Sequence, residues 1–192
     1  MTKSRNGVGI SITDYNRIVI WGNNGSGKSY LAQKLHIITG LPLVHLDNEF
    51  WRPNWGMPSQ SEWKARNLEL VAGEKWIIDG NVNHGDTMAL RYAAADLVIF
   101  LDINRVVCLA RVISRNGNKR ADTSQYRYEK FDGRFLRLCL GILNYRKTRR
   151  RIVLDLHEKY PEVGFLRIGS IGEVPAWLGR WGRMPEQMPE WN

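Results

Sequence analysis

Arg17-Ile18-Val19-Ile20-Trp21-Gly22-Asn23-Asn24-Gly25-Ser26-Gly27-Lys28-Ser29 decides the fold: a short apolar run passes directly into G-x-x-x-x-G-K-S. Tyr30, Leu31, Leu35 and Ile38 then continue as a helical stripe that stops at Gly40. The pattern predicts a buried strand, a phosphate-binding loop, and a helix that directs its positive N-terminal end at an anion. Gly22, Gly25 and Gly27 allow backbone conformations that a Cβ would obstruct, so successive N–H groups can turn around phosphate oxygens. Nucleotide contacts are expected from Gly22 through Asn23, Asn24, Gly25, Ser26, Gly27, Lys28 and Ser29 to Tyr30. Within that stretch Lys28 offers an ammonium to the β- and γ-phosphates of ATP, and Ser29 a hydroxyl ligand for Mg²⁺.

Composition bounds what surrounds this loop. A chain of 192 residues, 43% hydrophobic and 24% charged, fits one globular domain with a full core. The first sixteen residues lack an apolar signal segment and no apolar run approaches a bilayer span, so a cytoplasmic protein is expected. Cys108 and Cys139 stand far apart inside apolar helical patterns and read as free thiols of a reducing compartment. Four scattered histidines without ligand spacing point away from a zinc site. The net charge of +9 is regional. Between Arg105 and Arg151 fourteen Lys/Arg face only Asp122, Glu129 and Asp132. Such an excess can serve a nucleic acid, a set of bound phosphates, or solvated helix faces.

Strand and helix patterns alternate along the chain, predicting an α/β fold with a parallel sheet covered on both faces. Leu43 to Leu46 reads as a second strand ending at Asp47. Ser59 and Glu62 form a capping box that opens a helix carrying Trp63, Leu68, Val71 and Ala72. Trp76 to Ile78 makes a third strand ending in Asp79-Gly80-Asn81, and Leu97 to Leu101 a fourth ending at Asp102. A helix with Val106, Leu109, Ala110 and Ile113 breaks at Asn116. A long helical region is expected over about 131–160, a fifth strand over Val163 to Ile168, and a last helical turn over Glu173 to Leu178. Residues 1–16 read as a loose extension, 17–180 as the domain, and 181–192 as a tail. In such sheets ligands sit at the carboxyl ends of strands, where the P-loop, Asp47, Asp79 and Asp102 all fall.

Phosphoryl transfer needs positioned cations, a metal, and a group that orients the acceptor. Asp47 suits proton acceptance from an acceptor hydroxyl. Asp79 and Asp102 each end an apolar strand as a Walker B carboxylate does, and that pattern alone does not choose between them. Trp51 and Trp55 are candidates to stack an acceptor ring; Arg91 and Asn81 follow the third strand and are candidate acceptor contacts.

The segments Val44-His45-Leu46-Asp47-Asn48-Glu49-Phe50-Trp51-Arg52-Pro53-Asn54-Trp55, Trp76-Ile77-Ile78-Asp79-Gly80-Asn81 and Asp96-Leu97-Val98-Ile99-Phe100-Leu101-Asp102 resemble those of the adenylate-kinase-related P-loop proteins labelled DNA topology modulation, or FlaR-related, proteins. The resemblance runs from about Ile18 to Leu178. It implies a three-layer P-loop fold of the nucleoside-monophosphate-kinase kind, a five-stranded parallel sheet of order 2-3-1-4-5. It also implies an acceptor-side subdomain over about 47–75 and a lid over about 116–131. That strand order favours Asp79 as the metal carboxylate beside Ser29. The resemblance further implies that Arg111 and Arg115, four apart before the lid, and members of the 146–151 cluster, bind the phosphates in transfer. The expected activity is ATP- and Mg-dependent phosphoryl transfer to a small molecule, a nucleotide or nucleoside-like compound among the candidates. A nucleotide-switched DNA-binding regulator and an ATP-binding degenerate kinase are the alternatives.

Overall fold

The computed structural model describes residues 11–115, 133–170 and 172–174. Its centre is β1 (Arg17–Gly22), in which the two-residue period of a strand divides the side chains between two cores. Ile18 and Ile20 pack with Leu31 and Leu35 of α1 (Lys28–Thr39), while Val19 and Trp21 face the opposite layer. The remaining elements are β2 (Leu43–His45), α2 (Leu46–Phe50), α3 (Gln60–Val71), β3 (Trp76–Asp79), α4 (Thr87–Ala94), β4 (Leu97–Leu101), α5 (Arg105–Ser114), α6 (Gly133–Asn144), α7 (Arg149–Lys159) and β5 (Gly164–Ile168). Strands run in the order β2-β3-β1-β4-β5, and every pairing is parallel. The expected architecture is therefore present.

Every residue of β3 and of β4 is buried, as strands covered on both faces require. One cover contributes Leu31 of α1, Val112 of α5 and Ile142 of α6; the other contributes Trp63 of α3, Tyr92 of α4 and Val153 of α7. Each of these fully buried aliphatic or aromatic side chains contributes about 1.5–3 kcal/mol of transfer free energy. Trp63 also donates from Nε1 to Thr87 Oγ1 at 3.1 Å, which fixes α3 against α4 without leaving the indole N–H unmet.

Three boundaries differ from the sequence reading. The second strand stops at His45, and Asp47 lies in the first turn of α2. Helix over 131–160 is interrupted: a 3₁₀ turn at Tyr145–Lys147 separates α6 from α7, and Thr148 between them leaves helical space at φ −113°, ψ −90°. An apolar period alone does not register such a break, because Ile142, Tyr145 and Val153 are all buried across it. The expected loose extension is docked from residue 11 onward. Ile12 is fully buried, Trp76 donates its N–H to the carbonyl of Asn16 at 2.8 Å, and Arg17 clasps Asp96. The lid expected over 116–131 and the tail over 181–192 lie outside the described residues, as does most of the turn expected at 173–178.

The capping box of α3 forms as its sequence predicts. Glu62 N–H donates to Ser59 Oγ at 3.2 Å, and Ser59 N–H donates to Glu62 Oε2 at 2.7 Å. That backbone donor, with the Ser59 side chain and Arg52, pulls the Glu62 carboxyl from 4.5 down to about 2. A carboxyl depressed on folding stabilises the native state above its unfolded value and loses that contribution as pH falls through its folded value. The stability advantage of the native chain over Glu62→Ala, read by urea unfolding, should be full above pH 4.5 and fade as pH approaches 2.

Candidate active site

Sheet topology brings the carboxyl ends of β1 and β3 together at a cleft of about 760 Å³. Its floor is the loop between β1 and α1. Gly25 and Gly27 take φ of +83° and +92°, the left-handed region that side chains disfavour. At Gly25 space is a second constraint: a Cβ would stand 2.3 Å from the carbonyl oxygen of Cys108. The loop is thus pressed onto α5. Asn23 fixes its other side by donating from Nδ2 to the carbonyl of Ile142 on α6 at 3.0 Å. Lys28 arches across the loop and donates to the carbonyl of Asn23 at 2.9 Å. Asn23, Asn24, Gly25, Gly27, Lys28, Ser29 and Tyr30 line the cleft. Gly22 and Ser26 lie behind it, with Ser26 Oγ buried and lacking a hydrogen-bond partner among the described residues.

The two strand-end carboxylates separate by environment. Asp79 lines the cleft, 4% exposed; His45 Nδ1 is 3.0 Å from its Oδ2, while its Oδ1 has no hydrogen-bond partner among the described residues. A buried carboxylate oxygen left unsatisfied costs desolvation free energy, and a cation or its water would satisfy it. Asp102 has no such vacancy. Arg150 of α7 donates to both its oxygens at 3.0 Å, and Arg167 of β5 places NH2 2.6 Å from Oδ2. Among the described residues no group of three His, Cys, Asp or Glu could hold a metal by itself.

Asp47 lines the cleft from the first turn of α2, and Trp51 lines it at the end of the same helix. Phe50 lies between them at 4% exposure, edge-on to Trp51 at 5.0 Å and to His84 at 5.7 Å. Trp55 is not among the lining residues. It packs edge-on to Trp51 at 5.4 Å, with the guanidinium of Arg134 5.5 Å from its ring. Asn81 reaches the cleft edge, but its side chain serves the backbone, accepting from Gly22 N–H at 3.3 Å and donating to Gly22 O.

Arg91 corrects the sequence reading most fully. It is wholly buried outside the cleft, where its guanidinium donates to Asn67 Oδ1, to Thr87 Oγ1 at 3.2 Å and to the carbonyl of Val82 at 2.6 Å. Burial, and then the charge of Arg149, lowers its pKa to about 9. Its work is to tie α3, α4 and the loop after β3 together.

Arg111 and Arg115 face the cleft from α5, and Arg149 faces it from α7. Sequence reasoning missed Tyr145 and Thr148, which line the same wall because the break between α6 and α7 turns them inward. Tyr145 is 6% exposed, and its hydroxyl has no hydrogen-bond partner among the described residues. The His45–Asp79 contact was also missed, although His45 and Asp79 are register partners in the β2–β3 pairing. Two residues flagged on adjacent parallel strands would have been enough to find it.

Fold and cleft together define a P-loop kinase-like architecture. It is similar to the shikimate kinase of Acinetobacter baumannii solved in complex with shikimate, at a TM-score of 0.55 and 13% identity over 85% of this chain and 90% of that one. A shikimate kinase from Bacteroides thetaiotaomicron gives 0.53 and 15% over 86% and 96%. No family model and no curated protein matches the chain. At these identities the likeness is one of fold. No helix among the described residues is long and apolar enough to cross a membrane.

The pairing of Asp102 predicts a structural phenotype. Asp102→Asn should remove the charge that two arginines share. Because Arg167 is half exposed, the cost should be about 1–3 kcal/mol of unfolding free energy in urea, below that of a fully buried pair.

Proposed function

We propose that this chain is an ATP- and Mg²⁺-dependent kinase of a small hydroxyl-bearing acceptor. One observation carries the reading: a phosphate-binding loop and Asp47 line a single cleft, with Lys28, Arg111, Arg115 and Arg149 lining it as well.

In this reading the loop amides and Lys28 hold the β- and γ-phosphates, and the N-terminus of α1 adds its dipole. Ser29 and Asp79 would hold Mg²⁺, which when bound offsets phosphate charge and orients the triphosphate. His45 holds Asp79 through Oδ2 and so leaves the other oxygen for that task. Arg111, Arg115 and Arg149 neutralise charge as it moves from donor to acceptor, a role that suits the planar guanidinium fork. Asp47 orients the acceptor hydroxyl and takes its proton.

The DNA-binding alternative draws on the arginine-rich segment. Arg150 is spent on Asp102, however, and Arg111, Arg115 and Arg149 turn into the cleft, which favours phosphate work. DNA binding measured across a salt series separates the two. No binding at moderate salt is expected; a steep slope lost on substitution of Arg149 and Arg150 would favour the regulator.

Lys28→Ala should lower turnover by about two to three orders of magnitude while leaving the circular dichroism spectrum and unfolding midpoint near native. Asp79→Asn keeps the shape of the carboxylate but removes its charge. It should raise the Mg²⁺ concentration needed for half-maximal nucleotide binding by about tenfold, read by titration calorimetry. Retained Lys28→Ala turnover would sink the assignment.

A further inference from the structure

The N-terminus of α7 meets the cleft without a side-chain cap. Thr148, its N-cap, lines the cleft but spends Oγ1 backward on the carbonyl of Asn144 at 3.2 Å, and the first turn holds no acidic residue. It holds Arg149, Arg150 and Arg151 instead, three cations at the positive end of a helix dipole. Asp102 accepts from Arg150 at 3.0 Å, and Asp155 stands 3.9 Å from Arg151, so two of these charges are met within the protein. Arg149 lines the cleft.

Two buried groups share the field of that helix end. Tyr145 lines the cleft at 6% exposure, and its hydroxyl has no hydrogen-bond partner among the described residues. Burial first, and then the charge of Asp102, raise its pKa, so the hydroxyl keeps its proton and can donate. Arg91 is wholly buried on the carbonyl of Val82, a residue that lines the cleft. Its other acceptors, Asn67 Oδ1 and Thr87 Oγ1, are neutral too, and its Nε has no partner among the described residues. Neutral acceptors answer the donors of a guanidinium but not its charge. The charge of Arg149 acts on both groups, opposing the rise at Tyr145 and adding to the fall at Arg91. The wall also adjoins the P-loop, because Asn23 donates to the carbonyl of Ile142, three residues before Tyr145.

A tetrahedral phosphate suits this set. Its oxygens can take the fork of Arg149, the Tyr145 hydroxyl and the N–H groups of the first turn of α7 at once. Resting on the reading of the P-loop as a nucleotide site, we propose that Tyr145, Arg149 and the N-terminus of α7 form a second phosphate site beside it, with buried Arg91 adding charge from the core. The phosphate is either the γ-phosphoryl group on its way to the acceptor or one that the acceptor itself carries. The break between α6 and α7 is what presents the site.

The test titrates inorganic phosphate by calorimetry, at matched ionic strength, into the full chain saturated with Mg·ADP so that the P-loop is filled. Saturable binding is expected. Tyr145→Phe should weaken it about fivefold and Arg149→Gln about tenfold or more, with the affinity for Mg·ADP held within about twofold in both. Fluorotyrosine labelling gives a second readout: the fluorine resonance missing from Tyr145→Phe should shift with phosphate and not with chloride. No phosphate binding to the Mg·ADP complex, equal affinity in the native chain and both variants, or a Tyr145 resonance that phosphate leaves in place overturns the proposal. Failure of Mg·ADP to bind would instead remove the nucleotide reading beneath it. Repeating the titration on the Mg·AMP-PNP complex separates the two sources, and either result upholds the site. Phosphate shut out by the γ-phosphoryl group marks the group in transfer, and phosphate still bound marks a phosphate of the acceptor.

Discussion

One side chain joins the sheet to the cleft. Backbone pairing between β1 and β3 ends where Gly80 N–H donates to Ile20 O at 3.3 Å, and beyond it the amide of Asn81 takes both the N–H and the carbonyl of Gly22. A side-chain amide has the donor and acceptor of a peptide unit, so it completes the ladder after the strand has turned away. The turn itself needs Gly80, whose φ of +134° and 2.9 Å clearance to Leu46 Cβ admit no side chain. Asp79, the start of the loop between β1 and α1, and the first residue of α2 are thereby fixed against one another. Loss of that clasp would leave two backbone groups unmet at the root of the loop.

Much of this was legible in the sequence because it depends on short-range rules. The G-x-x-x-x-G-K-S run marked the loop; the unbroken apolar run from Ile18 to Trp21 marked a strand of a sheet covered on both faces; Ser59 and Glu62 marked a helix start that the structure reproduces. Lines that depend on where a side chain ends up were not legible. Arg91 follows the third strand as an acceptor contact would, yet the periodicity that turns Met88 and Tyr92 inward turns Arg91 inward too. Asn81 is polar at a strand end for a backbone reason. Trp55 lies four residues after Trp51, but the chain between them turns through an isolated bridge from Arg52 to Gly56, and Trp55 itself sits at φ +63°. Tyr145 was hidden because a helix break between two buried residues leaves the apolar pattern unaltered.

The concentration of arginine between 105 and 151 also divides once packing is known. Arg111, Arg115 and Arg149 serve the cleft, and Arg105 donates to the carbonyl of Leu143 at 3.1 Å. Arg150 joins α7 to the end of β4 through Asp102, which Arg167 also holds from β5. Neighbouring residues of one helix therefore have different places: Arg149 lines the cleft, and Arg150 holds in place the backbone from which Arg149 projects. A basic run read as one patch is in this chain several separate electrostatic fittings.

The strand order has a consequence for how the protein is made. β1 leaves the ribosome before both its neighbours, β3 and β4, so Ile18 waits about 60 residues for Ile77 and about 80 for Leu97. At about 5–20 residues per second, a nascent Ile-Val-Ile-Trp segment stays unpaired for roughly 3–16 seconds. β2, translated in that interval, has no edge to join until β3 exists. The loop after β1 is thus synthesised well before the strands that fix its place beside them. Whatever enters the cleft therefore meets a site that the later part of the chain has completed.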